Sequence, residues 1–219
     1  MALRESKGNM YSFITHTWNT CKGRCLHDCS YCYMKRFGNL KDVRFDEKEL
    51  KTDLGHNNFI FIGSSCDMFA ENIPNEWIEK TLSYVKTYSN KYFFQSKNPS
   101  KILNYEHILP EYSSVCTTIE TNRFYEDIMN NSPHPMVRMI AMDLIHRPKY
   151  VTIEPIMDFD LDEMIHLIKK CHPMQVNIGA DSGNNNLPEP SKEKVLELIE
   201  ALKEFTIIHN KNNLGRLLD

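Results

Sequence analysis

The sequence predicts an α/β chain folded as a partial parallel β/α barrel, TIM-like, of about six to seven strands. Three observations carry that expectation. Short apolar runs alternate with stretches of helical periodicity along most of the 219 residues, which implies parallel strands joined by right-handed crossovers. The apolar runs end in polar residues, as strands do when their carboxyl ends line a ligand site. No Gly-rich dinucleotide turn accompanies them, so a barrel is preferred to an open doubly wound sheet. The length suits one domain over 1–219, a little short of the roughly 250 residues of a full eightfold barrel.

Tyr11 to Trp18 is rich in aromatic and β-branched residues and reads as the first strand, with a cysteine loop at its carboxyl end. Asp46 to Leu54 reads as a short helix with Asp46 as its N-cap and Gly55 beyond its end. Phe59 to Ile62 is continuously apolar, as expected of a strand buried on both faces. Pro74 to Tyr88 follows as a helix, then Lys91 to Gln95 as a strand and Pro99 to Ile108 as a short helix. Ser113 to Thr121 alternates like a strand, and Pro135 to Ile145 sets Val137, Ile140, Ala141, Leu144 and Ile145 on one helical face. Tyr150 to Ile153 leads into Glu154-Pro155, and Leu161 to Lys170 is helical. Met174 to Ile178 is the next strand. Pro190 to Lys203 is an amphipathic helix capped by Ser191, with Val195, Leu198, Ile199 and Leu202 as its buried stripe. Phe205 to Ile208 closes the strand series, and Leu214 to Leu218 gives a last turn of helix.

Composition narrows the class. With 41% hydrophobic and 25% charged residues and a formal charge of -3, the chain is ordinary for a soluble globular protein, and whole-chain charge calls for no polyanionic partner. Met1 to Met10 is polar and charged, and no segment approaches the roughly 18 apolar residues of a membrane span. A cytoplasmic protein with no membrane partner is expected. Four of the seven cysteines, Cys21, Cys25, Cys29 and Cys32, crowd into twelve residues, a pattern that suits a metal in a reducing compartment better than a disulfide framework.

The spacing C-x3-C-x2-C over Cys25, Cys29 and Cys32 lets three thiolates converge on one metal centre. Because a [4Fe–4S] cluster is normally held by four cysteines, three suggest an iron kept open for a ligand. The strand ends then read, in order, Gly63-Ser64-Ser65-Cys66-Asp67, Ser96-Lys97-Asn98, Glu120-Thr121, Glu154-Pro155 and Asn177 with Asp181-Ser182. Carboxylates at the ends of apolar strands are costly unless they are paired or meet a ligand, so Glu120 and Glu154 mark a polar small-molecule site.

With Tyr31 before its third cysteine, this loop resembles the signature of the radical S-adenosylmethionine (radical SAM) superfamily. The motifs GSSCDMF at 63–69, QSKNP at 95–99, IEPI at 153–156 and GADSG at 179–183 are similar to those of a phage-associated radical SAM family distantly related to spore photoproduct lyase. The resemblance implies a [4Fe–4S] cluster on Cys25, Cys29 and Cys32 and S-adenosylmethionine at the open iron. Reductive cleavage of that cofactor yields a 5′-deoxyadenosyl radical that abstracts hydrogen from a substrate, here a nucleotide or nucleic-acid base. It further implies that Tyr31 shields the cluster, that Ser64, Ser65 and Asp67 stand where a Gly-Gly-Glu-type turn meets the methionine amine, and that Ser96, Glu120 and Glu154 contact the rest of the cofactor. Asn177 and Asp181 would face the substrate. Cys66 would be the catalytic hydrogen donor, as a cysteine is in spore photoproduct lyase.

Plainer readings stand beside these. Cys21 could complete a structural zinc site, making the chain a non-catalytic metal-binding interaction module. Cys66 and Cys116 could be core thiols. Glu120 and Glu154 could pair with Arg123, Arg138 or Arg147. The basic run Lys22, Arg24, Lys35, Arg36, Lys41 and Arg44 is either a solvated face or a docking patch for an acidic electron donor, flavodoxin or ferredoxin, or for a phosphate backbone.

Overall fold

The computed structural model describes residues 3–7 and 10–219, so part of the polar opening, Met1, Ala2, Gly8 and Asn9, lies outside the described residues. Ten strands and seven helices follow in order: β1 (Arg4–Glu5), β2 (His16–Trp18), β3 (Cys21–Lys22), β4 (Arg44–Phe45), β5 (Phe59–Ile62), α1 (Asn75–Val85), β6 (Lys91–Gln95), α2 (Pro99–Tyr105), β7 (Ser113–Thr118), α3 (Glu126–Met129), α4 (Pro135–Leu144), β8 (Lys149–Ile153), α5 (Leu161–Lys170), β9 (Gln175–Ile178), α6 (Lys192–Lys203), β10 (Ile207–Asn210) and α7 (Gly215–Leu218). Eight strands form one sheet in the order β1-β2-β5-β6-β7-β8-β9-β10, while β3 and β4 pair by themselves. From β2 to β10 every pairing is parallel, and β1 runs antiparallel along the β2 edge. Mixed α/β with seven parallel strands is the partial barrel that the alternation predicted.

Strand pleating sorts the side chains. Ile60 and Ile62, Tyr92 and Phe94, Val151 and Ile153, and Val176 and Ile178 face the helices in one core. Their alternates Phe61, Phe93, Cys116 and Tyr150 point inward and pack with Tyr11 and Ile14 in a second. Each fully buried Ile or Phe contributes about 1.5–3 kcal/mol. The inner cluster floors the barrel. Above it the lumen turns polar, because the Tyr11 hydroxyl donates to Gln95 at 2.8 Å and the Gln95 amide to Thr118 at 3.1 Å.

Several expectations change here: the helix expected over Asp46 to Leu54 is a short 3-10 segment, Glu47–Lys51, and the strand expected over Ser113 to Thr121 ends at Thr118. The first strand is confined to His16–Trp18, since Tyr11 to Ile14 turn inward (Ile14 N–H to Tyr11 C=O, 3.0 Å) to fill that floor. In α4, Val137, Ile140 and Leu144 are 47%, 52% and 54% exposed, whereas Ala141 and Ile145 of the expected face are buried, with Pro135, Arg138, Met139 and Met142. The helix is rotated so that Arg138 reaches inward. The last strand starts at Ile207 instead of Phe205, because the Phe205 and Thr206 N–H groups bond to Leu202 and finish α6.

Candidate active site

Gly23 opens the excursion that carries the cysteines. At φ +116 it takes a conformation that L residues rarely adopt, and a Cβ there would stand 2.5 Å from the Asp42 carbonyl, so only glycine lets residues 22–24 lie against 41–44. The β3/β4 pair and the Arg24 N–H to Lys41 carbonyl bond at 2.8 Å close the base of a lobe spanning 23–43. Inside it, Asp28 at φ 47 and the Cys32 N–H to Cys29 carbonyl bond turn the loop. Cys25, Cys29 and Cys32 are all free thiols.

A second segment, 128–132, clamps this loop. Asn131 donates to the His27 and Leu26 carbonyls at 3.1 and 2.9 Å, Asn130 donates to the Asp28 carbonyl at 2.7 Å, and the Ser30 N–H reaches Ile128 at 2.9 Å. Ser132 Oγ lies 3.1 Å from Cys29 Sγ, both groups buried. This strap had no reading at the level of sequence, where Asn130-Asn131-Ser132 signals only a turn.

Two polar networks seat the lobe on the strand ends. The Asp67 carboxylate accepts from His27 Nε2 at 2.8 Å and from Ser96 Oγ, Lys97 N and Phe69 N at 2.9 Å each. Burial works against a charged imidazole at His27, yet Asp67 outweighs it and raises the ring above its usual pKa. The second network centres on Glu120, which has no exposed surface and accepts from Tyr31, Lys97 and, at 2.7 Å, Arg138. Burial pushes the Glu120 carboxyl upward, but Arg138 and Lys97 prevail and hold it well below the ordinary carboxylate range. Glu120 and Asp67 thus anchor the lobe.

The other expected residues ring the same end of the sheet. Asn19 donates to Ser64 Oγ at 3.2 Å and accepts the Ser65 N–H at 2.9 Å. Glu154 meets Lys211 and, at 2.9 Å, Asn213, and Gly179 makes room for it, since a Cβ there would come within 2.8 Å of the carboxylate. Lys211 and Asn213 had not been singled out from the sequence, because their place beside Glu154 depends on the pairing of β9 with β10. Asn177 is fully buried with its Oδ1 bonded to Gln175 at 2.7 Å, and its Nδ2 has no partner among the described residues. Asp181 is turned to the Gly183 and Asn185 N–H groups of its own loop.

The thiols differ in chemistry. Cys66 is buried beside Cys25, and their mutual influence lowers the Cys25 thiol while, with burial, it raises Cys66. Burial raises Cys32, and the charges of Cys29 and Cys25 raise it further. Cys21 sits in the outer core with its thiol pushed up to about 11, first by burial. Among the described residues no group of three or more Cys, His, Asp or Glu stands ready to hold a single metal ion. A cubane cluster makes a different demand, since each thiolate takes a separate iron. Three free thiols on a clamped, half-buried loop suit that demand by their donor chemistry.

A partial β/α barrel whose sheet ends carry a three-thiol lobe is the class that this architecture defines. The same fold occurs in a spore photoproduct lyase variant at 9% identity and a TM-score of 0.68, over 95% of this chain and 80% of that one. Another variant, with bound AdoMet and dinucleoside spore photoproduct, matches at 10% identity and 0.59, over 93% and 66%. Methylornithine synthase matches at 12% identity and 0.56, over 88% and 63%. Both of these enzymes are radical SAM enzymes. No protein-family model and no curated protein sequence matches the chain.

Proposed function

We propose that the chain is a radical SAM enzyme acting on a nucleotide or nucleic-acid base. The observation that carries this reading is the seating of three free thiols, Cys25, Cys29 and Cys32, over the carboxyl ends of a parallel sheet shared with spore photoproduct lyase. Those thiols would hold a [4Fe–4S] cluster. When bound, the cluster, reduced by one electron from an external donor such as flavodoxin or ferredoxin, and S-adenosylmethionine would supply a 5′-deoxyadenosyl radical and methionine.

The chain's own residues divide the remaining work. Asp67 and Glu120, through His27 and Tyr31, fix the lobe and place Tyr31 over the strand ends. Ser64, Ser65 and Ser96, on the loops after β5 and β6, are the proposed contacts for the methionine moiety. Glu154, held by Lys211 and Asn213, is proposed to meet the ribose, and Asn177 offers an unpartnered amide to a substrate in the lumen. The aromatic floor keeps water from entering below. Cys66, a neutral buried thiol beside Cys25, is the proposed hydrogen donor to a substrate radical, and an external one-electron donor such as flavodoxin or ferredoxin, with a proton, restores it. The dinucleoside seen with the lyase supports the substrate class.

Anaerobic reconstitution followed by dithionite and S-adenosylmethionine tests the assignment. A brown protein releasing 5′-deoxyadenosine is expected, with Cys25→Ala, Cys29→Ala and Cys32→Ala each losing both properties. Retention of cluster and cleavage in all three variants would overturn it.

A further inference from the structure

The cysteines, His27 and Tyr31 of the lobe are buried or half-buried, whereas its basic residues and two of its aromatic rings are largely exposed. Lys22 is neutralised by Asp46 and Glu49, and Lys35 by Asp28. Arg24, Arg36, Lys41 and Arg44 are exposed, as is Arg4 on the adjoining β1 edge, and no carboxylate among the described residues forms a salt bridge with any of the five. Between Cys29 and Phe45 the sequence has one acidic residue, Asp42. In a chain of net charge -3, that is a strongly local concentration of unpaired cations.

Aromatic rings are interleaved with them. Phe37 is 63% exposed and Tyr33 47%, and the Arg36 guanidinium stands 5.0 Å from the first ring centre and 5.6 Å from the second. The Tyr33 hydroxyl donates to the Ser64 carbonyl at 2.7 Å, so the platform is fixed to the loop after β5. A cavity of about 500 Å³ opens along the same lobe, its wall including Arg4, Met34, Lys41, Arg44, Glu49 and Ser65. That volume takes a ligand of nucleotide size, and its wall runs from the cations to the serine loop of the proposed active site.

We infer that this face binds single-stranded nucleic acid, with phosphates along Arg4, Arg36, Lys41 and Arg44 and bases stacked on Phe37 and Tyr33. Cation tracks with exposed rings are how proteins hold single strands, because every base has a face to stack. An acidic protein would be attracted by the charges alone. The surface of a folded partner has no need of a nucleotide-sized recess, nor of two ring faces flanking a guanidinium. The inference deepens the functional reading above, on which it rests for its meaning, by placing the entry of the substrate strand.

Fluorescence anisotropy with labelled (dT)12 and the full chain, prepared without cluster, tests it. Saturable binding is expected, weakening with salt at a log–log slope of about -0.7 per phosphate contacted. Lys41→Ala with Arg44→Ala should weaken binding at least tenfold and flatten the slope by about 1.4. Phe37→Ala should weaken it about tenfold, within the range of one stacked base, and Phe37→Trp should restore it. These positions are exposed, and unchanged thermal melting checks that the variants remain folded. Salt-insensitive or undetectable binding by the parent chain, or binding indifferent to all of these substitutions, overturns the inference. So does capture of an acidic flavodoxin that these substitutions abolish while the oligonucleotide is not held. Because no cluster is needed, failure here leaves the thiol assignment standing, and failure of reconstitution leaves strand binding measurable.

Discussion

Glu120 shows how firmly a single carboxylate can be positioned. It is fully buried, and Arg138, also fully buried, answers it from α4. Removing one member of such a pair strands the other, so Arg138→Met is expected to cost about 3–5 kcal/mol, read from urea unfolding. The pH dependence has a definite sign. The folded carboxyl lies below its ordinary pKa, first against burial and then through Arg138 and Lys97, so its contribution is present above an unfolded pKa of about 4.3 and is lost as pH falls below that value. Stability measured from pH 6 downward should fall more steeply in the parent chain than in Glu120→Gln. Ser132 acts on the cluster loop by another route. Its hydroxyl beside Cys29 would stabilise the more negative, reduced cluster, because hydrogen bonds to cluster sulfurs help set the potential. Ser132→Ala is expected to shift the midpoint of the reconstituted protein to lower potential in an EPR-monitored titration, with cluster content retained.

At the scale of elements, periodicity located helices better than it oriented them. In α6 the expected stripe of Val195, Leu198, Ile199 and Leu202 is the buried one, and Ser191 caps the Lys194 N–H at 3.4 Å. In α4 the apolar residues are too many for one stripe, and Arg138 decides which of them face inward. Its demand for Glu120 could not be read from spacing alone. Ile140→Lys is therefore expected to change stability by no more than about 0.5 kcal/mol, while Met142→Lys, placed in the core, should destabilise strongly. A pair of thermal melts compares them. Among the strands, Phe59 to Ile62 and Lys91 to Gln95 were fully legible as apolar runs between turn residues. Tyr11 to Ile14 was not, because aromatics that plug a lumen and aromatics that pair in a sheet look alike in sequence.

For the molecule as a whole, the alternation of runs made the sheet legible, and the rule that strand ends carry the site gathered residues that the fold does bring to one end. What they bond to there was less legible. Asp67 and Glu120 read as cofactor contacts, with pairing to Arg138 as the plainer reading of Glu120; Arg138 does hold Glu120, and Asp67 accepts from His27, a partner the spacing did not suggest. The strap of Ile128 to Ser132 was missed for the same reason, since backbone carbonyls and asparagine amides leave no pattern. The barrel floor was equally hidden. Phe93 packs there against Tyr11, Phe13, Phe61 and Tyr150, so Phe93→Ala should cost about 3–5 kcal/mol by denaturant unfolding. Under the proposed function, the lobe, supported from the opposite end, is expected to take up iron on reconstitution of that variant as the parent chain does, at temperatures where it remains folded.

The strap has a consequence for the order in which the cysteine loop acquires its shape. The Cys29 to Ser132 contact closes a separation of 103 residues, and the partners of Leu26, His27 and Asp28 come from equally far down the chain. A nascent chain that has just emitted its cysteines therefore possesses the ligands but not the cradle. Iron and sulfide delivered at that stage would meet a loop still free to sample many shapes, whereas delivery after β7 and the strap have docked meets thiols already positioned. Under the function proposed above, the cradle for a cluster is completed only once Ser132, 103 residues after Cys29, has docked.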